Sequence, residues 1–170
     1  RIHVMSHGHF AIDVIEPVPS GVEWHTSQDT ARLIAMMSEA NLTKLSDAKT
    51  SGVRRVGTIY KRTREEDGIR YQRAELRLDD VAGCLRTPGG GSSRQIIIEV
   101  IDSTVKTRLL SAREAARLMG LDDNYLLPGK YNEAYHLMGD GLAVPVVRHL
   151  AAHLLDDLVL RGRTNLMAAE

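Results

Sequence analysis

The side chains with the most chemical potential fall in one short stretch, CLRTPGGGSSRQ, residues 84–95. It holds the chain's one cysteine, Cys84, and three consecutive glycines, Gly89, Gly90 and Gly91. Hydroxyls stand at Thr87, Ser92 and Ser93, and arginines at Arg86 and Arg94. Glycine lets backbone N–H groups come close to a ligand. Hydroxyls donate to phosphates or bases, and arginine can grip a phosphate or a guanine edge with two bonds. A phosphate cradle, a nucleic-acid contact and a plain turn all fit these residue types. The cradle is the weakest of the three, because no Lys-Ser/Thr ending and no helix follow the glycines. Other cations stand at places where anions bind. Lys61, Arg62 and Arg64 sit at a predicted hairpin end, and Arg108 and Arg113 flank a predicted helix start, where unpaired N–H groups attract phosphate. The ordinary alternative for each is a solvated charge. His3, His7 and His9 have no cysteine or carboxylate at ligand spacing, so no metal site is expected there.

These residues are carried by 170 amino acids, enough for one domain or for a small domain plus part of another. With 43% hydrophobic residues the chain can bury a core. Its first residue is Arg1 rather than Met, which reads as a piece of something longer. No apolar run approaches the roughly 20 residues needed to cross a bilayer, and a single cysteine excludes an internal disulfide, so a cytoplasmic location is expected. The formal net charge is zero, yet residues 53–94 carry ten Lys or Arg against six acids. A basic middle between acidic ends is a footprint for a polyanionic partner.

The elements that must position these side chains follow from periodicity. DVIEPVPSG, residues 13–21, reads as an extended connector. After Ser27 a helix is predicted, with Ala31, Ile34, Ala35 and Met37 or Ser38 on its buried face. A second runs from about Glu39 to Thr50, with Leu42, Leu45 and Ala48 buried and Gly52 as its stop. VRRVGTIYKRT and IRYQRAELRL, joined by REEDG, predict a β-hairpin on an Asp-Gly turn. RQIIIEVI and TVKTRLL predict two more strands. Ser111 and Glu114 stand at capping-box spacing before a helix closed by Gly120. A short helix near YNEAYHLMG and a last one from about Val144 to Leu160 complete the chain. In the last, positions 147, 150, 151, 154, 155 and 158 are spaced for burial. The fold class expected is mixed α+β.

Two stretches go further. RLLSAREAARLMGLDDNYLLP, Arg108 to Pro128, resembles the ninth conserved motif of DNA (cytosine-5) methyltransferases, R-x-L-[ST]-x-R-E-x-A-R-L-x-G-[FL]. AYHLMGDGLAVPVVRHLAAHL, Ala134 to Leu154, resembles their tenth, G-N-x-V-x-[PV]-x-V followed by a helix. They stand in the family's order. Position 140 departs from it with Asp for the usual Asn, and GLDD lacks the proline of GFPD. The methyl-donor loop, the Pro-Cys loop and the Glu-Asn-Val loop of the family are absent from the sequence.

The resemblance implies three regions. Residues 1–52 are a connector and helical lead-in, 53–107 a β-rich target-recognition region, and 108–170 a helical segment that would complete an α/β methyltransferase core. The DNA contacts it implies are Lys61, Arg62, Arg64, Arg86, Thr87, Gly89, Gly90, Gly91, Ser92, Ser93, Arg94, Arg108 and Arg113, the last two touching backbone or bracing a domain junction. Asp140, Gly141 and Leu142 would form part of the S-adenosylmethionine pocket. In a bland reading, Asp140 merely sits near the positive end of the last helix. Cytosine-5 methylation needs a thiolate, but Cys84 follows Gly83 rather than Pro and lies in a strand-like apolar setting, so it is expected to be structural. No catalytic residue is expected in this chain. The partners implied are double-stranded DNA and a catalytic core, with S-adenosylmethionine bound by the complete enzyme and not by this chain alone. A standalone DNA-binding module and a structural adaptor are the alternatives from other classes.

Overall fold

A computed structural model describes residues 14–87 and 94–155. In order the elements are α1 Ser27–Ala35, α2 Glu39–Thr50, β1 Arg55–Glu66, β2 Ile69–Arg77, β3 Ile96–Ile101, β4 Thr104–Leu109, α3 Ala112–Leu118, α4 Tyr131–Asp140 and α5 Val144–Leu150, which runs on into a π-helical turn, Ala151–Leu155. The four strands form one antiparallel sheet in the order β2-β1-β3-β4. The class is mixed α+β, a small sheet with helices on both of its faces.

Local chemistry sets the boundaries. Asp67 and Gly68 both have positive φ, 53° and 76°, the geometry of the two-residue turn that matches strand twist. Asp102, also at positive φ (50°), turns β3 into β4. Helix α2 spans the predicted residues, and Gly52 follows its end at φ 65°. The capping box of α3 forms in full, with the Ser111 hydroxyl accepting from the Glu114 N–H and the Glu114 carboxylate accepting from the Ser111 N–H. Helix α1 differs from the expectation. Its cap is Thr26, which accepts from the Asp29 N–H at 3.1 Å, and its buried residues are Thr30 and Leu33; of the expected face, Met37 just past the helix is buried and Ile34 is half-buried against the core. Ala31 and Ala35 are exposed. Two stripes at helical spacing exist in this segment, and the Leu-Met stripe has more apolar area to hide than the alanine stripe.

Strand β3 is the centre of the core. Ile96, Ile97, Ile98 and Val100 are all buried, because helices cover the sheet on both sides. On one side Ile59, Ile96, Ile98 and Val100 join Leu33, Met37, Leu45 and Ala48 of α1 and α2. On the other, Val56 and Ile97 join Leu110, Ala115 and Ala116 at α3, with Tyr135 and Met138 of α4. Each fully buried isoleucine contributes about 1.5–3 kcal/mol over its exposed state. Of the predicted buried positions on α2, Leu45 and Ala48 are buried and Leu42 is 40% exposed. On α5 the expectation of a buried face fails: Val147 and Leu150 are exposed, as are Leu154 and Leu155 beyond them.

Candidate nucleic-acid interface

The outer half of the β1–β2 hairpin carries a face of arginines and tyrosines on which Arg62 and Arg64 are exposed and Tyr60, Tyr71, Arg73 and Glu75 are half-buried. Register sets Tyr60 opposite Glu75, Arg62 opposite Arg73 and Arg64 opposite Tyr71, so all six share one face. The Arg62 guanidinium stands 6.0 Å from the Tyr60 ring and that of Arg73 4.9 Å from the Tyr71 ring. Arg64 donates to Glu75, whose second oxygen is 3.4 Å from Arg62 Nε. Solvent-exposed pairs of this kind contribute at most about 1 kcal/mol. Their effect is to hold extended cationic side chains in a row. Burial pushes the Tyr60 hydroxyl up to about 12, so it stays a neutral donor. Lys61 does not join this row. It pairs with Ala74, on the face that α1 and α2 cover.

At the base of the sheet, both stems of the glycine loop rest on α4. On the entry side, Thr87 Oγ1 donates to Asp140 Oδ1 at the C-terminal end of the helix. On the exit side, Arg94 donates to Asn132 Oδ1 at 2.6 Å and stacks over the Tyr131 ring at 5.6 Å, near the helix start. Gln95 then receives the Tyr135 hydroxyl at its own N–H, the N–H donating over 3.2 Å, and its side-chain amide donates to the Gly83 carbonyl at 2.5 Å. Arg86 is exposed. The positions Gly89, Gly90, Gly91, Ser92 and Ser93 lie outside the described residues.

The two arginines of the ninth-motif stretch are engaged within the chain. Arg108, expected to touch the DNA backbone or to brace a domain junction, is buried: its guanidinium donates to Glu114 at 2.7 and 2.6 Å and lies 5.1 Å from the Trp24 ring. A charge needs such partners to leave water, and a phosphate has no route to it in this packing. Glu114 accepts in addition from the Ser111 and Glu16 N–H groups, both at 2.8 Å. The Ser111 hydroxyl donates to the Glu16 carboxylate at 2.5 Å. Arg113 donates to the carbonyls of Asp122 and Tyr125, at 3.2 and 2.8 Å, and so ties the turn after α3.

Asp140 is the last residue of α4, and Gly141 caps that helix. The carboxylate therefore stands at the negative end of α4. Leu142 is 77% exposed. Nearby, the Val144 N–H donates to the Met119 carbonyl at 2.8 Å, and a Cβ on Gly120 would meet Pro145 Cδ at 2.5 Å. The residues that end α3 thus seat the start of α5. Residues 140–142 offer at most one wall to a cofactor: one apolar side chain is open, and the carboxylate is taken by Thr87. They enclose no pocket for S-adenosylmethionine by themselves, so no step of methyl transfer is assigned to them. The grooves of about 480 and 500 Å³ lie elsewhere, along the free edge of β2 beside α2.

Cys84, expected in an apolar setting, is exposed in irregular chain and donates to the Leu85 carbonyl over 3.4 Å. Tyr71 and Arg73 escaped sequence reasoning, although the alternation Tyr71, Arg73, Glu75, Arg77 along β2 carried the signal. Asn132 carried none. Among the described residues no group of three or more His, Cys, Asp or Glu is arranged to hold a metal ion, and no helix is long and apolar enough to cross a membrane. His3, His7 and His9 lie outside the described residues.

Residues 13–156 match the family described as C-5 cytosine-specific DNA methylase. The chain is similar to the DNA (cytosine-5)-methyltransferase CMT2 of Oryza sativa subsp. japonica, with 38% identity over 72 residues, which are 42% of this chain and 5% of that one. It is similar to the Type II methyltransferase M1.ScrFI of Lactococcus lactis subsp. cremoris, 34% identical over 64 residues, 38% of this chain and 16% of the relative. It also resembles the Type II methyltransferase M.HpaII of Haemophilus parainfluenzae, 29% identical over 93 residues, 47% of this chain and 26% of the relative. The matches thus cover about a quarter of these relatives at most. No solved structure gives a match.

Proposed function

Because the chain belongs to the C-5 cytosine-specific DNA methylase family, we propose that it is the C-terminal, DNA-recognising part of an S-adenosylmethionine-dependent DNA (cytosine-5) methyltransferase. The observation that carries this reading is the hairpin face of Tyr60, Arg62, Arg64, Tyr71 and Arg73, a row of oriented cations beside aromatic rings in which Arg62 and Arg64 are exposed. Cations of that kind neutralise phosphates, and arginine also reads guanine. Two relatives bear the name Type II methyltransferase, which supports the restriction-modification type.

In such an enzyme the target base leaves the duplex before reaction. S-adenosylmethionine, when bound, supplies the methyl group. The share of this chain is to dock the duplex through Arg62, Arg64 and Arg73, to read it with the segment around Arg86, and to close one wall of the donor site at Leu142. The thiolate that adds to the ring belongs to a core outside these 170 residues. Cys84 has no part in this reading as the nucleophile, since it follows Gly83 rather than the proline of the family's Pro-Cys loop. An apolar stripe on α5 and the turn after it, Val146, Val147, Leu150 and Leu154, supports the idea that this helix covers the core. By itself the chain is inactive.

The deciding experiment mixes the chain with a separately produced core carrying the Pro-Cys loop, tritiated methyl donor and duplex DNA. Transfer of label only in the mixture is the outcome expected. If no cognate core is complemented while the chain still binds duplex DNA, the chain is a DNA-binding module of another kind. If the chain shows no salt-dependent binding to DNA, the recognition reading falls with it.

A further inference from the structure

The cationic face of the hairpin carries a carboxylate in its midst. Glu75 stands opposite Tyr60 at the inner end of the row, and one step outward Arg62 stands directly opposite Arg73. Like charges across such a pair repel. Arg64 lies a further step out, opposite Tyr71, yet its guanidinium donates to Glu75. Four residues of strand separate the two levels, about 14 Å. To span that distance the Arg64 side chain lies back along the sheet, past the level of Arg62 and Arg73, rather than straight out from it. Arg62 Nε stands 3.4 Å from the other oxygen of Glu75.

Two arginines are thus gathered on one carboxylate, and solvent reaches all three. The side chains of Arg62 and Arg64 are 54% and 50% exposed, and that of Glu75 is 30% exposed. Ion pairs at such exposure hold their partners weakly, so another anion can take them over. The surroundings favour an anion. A groove of about 500 Å³ runs along the free edge of β2, lined by Arg64, Arg73, Glu75 and Arg77 together with Lys44 of α2. Asp79 pairs with Arg77 at 2.6 Å, and the charge of the lining stays positive. A phosphate oxygen entering it is attracted.

We propose that Glu75 is a built-in counter-ion that stands in for a DNA phosphate, gathering Arg62 and Arg64 in the free chain and yielding them when the duplex backbone arrives. The inference rests on the reading of the hairpin face as a DNA-docking surface. It makes Glu75 a brake on sequence-independent binding. Any duplex must displace the carboxylate, and its negative charge stays beside the phosphates afterwards. A carboxylate that only kept the arginines in place would have the opposite effect, since its loss would weaken binding. Glutamine at this position keeps an oxygen for Arg64 and loses the charge, which parts the two roles.

The test compares the 170-residue chain with E75Q, R62A/R64A and R62A/R64A/E75Q variants, and with E65Q, which removes a charge from the other face of β1. Binding to a random-sequence duplex is measured across a range of salt, and inorganic phosphate is titrated while the Arg62 Nε–H resonance is followed. E75Q should tighten duplex binding about fivefold and steepen the slope of log K against log salt by about one, as one like charge leaves the docking face. Phosphate should shift the Arg62 resonance at about fivefold lower concentration in E75Q than in the wild type. E65Q should change neither, and in the R62A/R64A background the gain from E75Q should shrink to about twofold or less. Unchanged or weaker duplex binding in E75Q overturns the proposal, as does an equal gain from E65Q or a gain undiminished by R62A/R64A. A wild-type chain that binds no duplex sinks the proposed function instead. The phosphate titration then still decides whether Glu75 guards the two arginines, and equal midpoints in wild type and E75Q mean that it does not.

Discussion

Arg108 and Glu114 meet in a two-bond ion pair whose side chains are 1% and 0% exposed. Six residues apart in sequence, they join the end of β4 to the first turn of α3, and Glu114 also holds the N–H of Glu16. The arginine for which the resemblance implied a DNA-backbone contact or a brace at a domain junction is buried in an ion pair within the chain. Arg108→Met should destabilise the chain by about 3–5 kcal/mol, because it strands a buried carboxylate. Arg108→Lys keeps the charge but cannot form the fork, and should lose about 1–3 kcal/mol. Urea unfolding monitored at Trp24 measures both, and a midpoint unmoved by R108M would refute the brace.

The hairpin face makes a prediction about salt. Arg62→Ala and Arg73→Ala should each lower the slope of log K against log salt by about one, the mark of one lost phosphate contact. Lys61→Ala, on the opposite face, should leave the slope where it is. Equal effects from Lys61 and Arg62 would mean that the face does not dock DNA.

The exposed stripe of α5 separates folding from assembly. Val147→Asp and Leu150→Asp replace side chains that are 44% and 48% exposed, so the stability of the chain should change by no more than about 0.5 kcal/mol. Complementation of a separate core should be lost. Circular dichroism and the label-transfer assay read the two halves, and full activity of the double variant would place the core contact elsewhere.

His25 gives a pH dependence. Burial lowers its affinity for protons, with Lys61 acting in the same direction and Asp29 against it. Its Nδ1 lies 2.9 Å from the Thr107 hydroxyl, which in turn meets Thr30 at 2.9 Å. The unfolded chain therefore binds a proton here more readily than the folded one. The stabilisation is fully present above the ordinary value near 6.5 and is lost as pH falls through the lower folded value. Between about pH 8 and about pH 5, the wild type should lose more stability than a His25→Asn variant, which has nothing to titrate at that position. Parallel curves for the two proteins would show that His25 is uncoupled from folding.

Elements whose signals are local were legible in the sequence. The Asp67–Gly68 turn, the capping box of Ser111 and Glu114, and the full span of α2 follow from neighbours within four residues. What stayed hidden depends on contacts across the chain. The face of α1 was misjudged because two stripes fit the helical period and only the sheet decides between them. Arg108 gave no hint of burial, since its carboxylate partner and Trp24 come from different elements. At the candidate site, Arg62 and Arg64 were marked together with Lys61 as one charge run. The strand period of two places Lys61 on the other side. The holding role of Asn132 needs the distance between residues 94 and 132, which no spacing rule contains.

One feature of the chain entry bears on how such a protein changes. The Glu16 N–H donates to Glu114 across 98 positions of sequence, and Arg117 donates to the Val14 carbonyl at 3.0 Å across 103. Between those anchors the chain makes α1, α2 and the sheet, then comes back to the place it left. The whole excursion is a cassette with its two ends clasped by these two bonds and by that of the Ser111 hydroxyl to the Glu16 carboxylate. The hairpin tip at Asp67–Gly68 lies outside that clasp, whereas Val56 and Ile97 of the strands share one core cluster with Val14, Ile15 and Ala115, so a change in the sheet is felt at the chain entry and at α3 together.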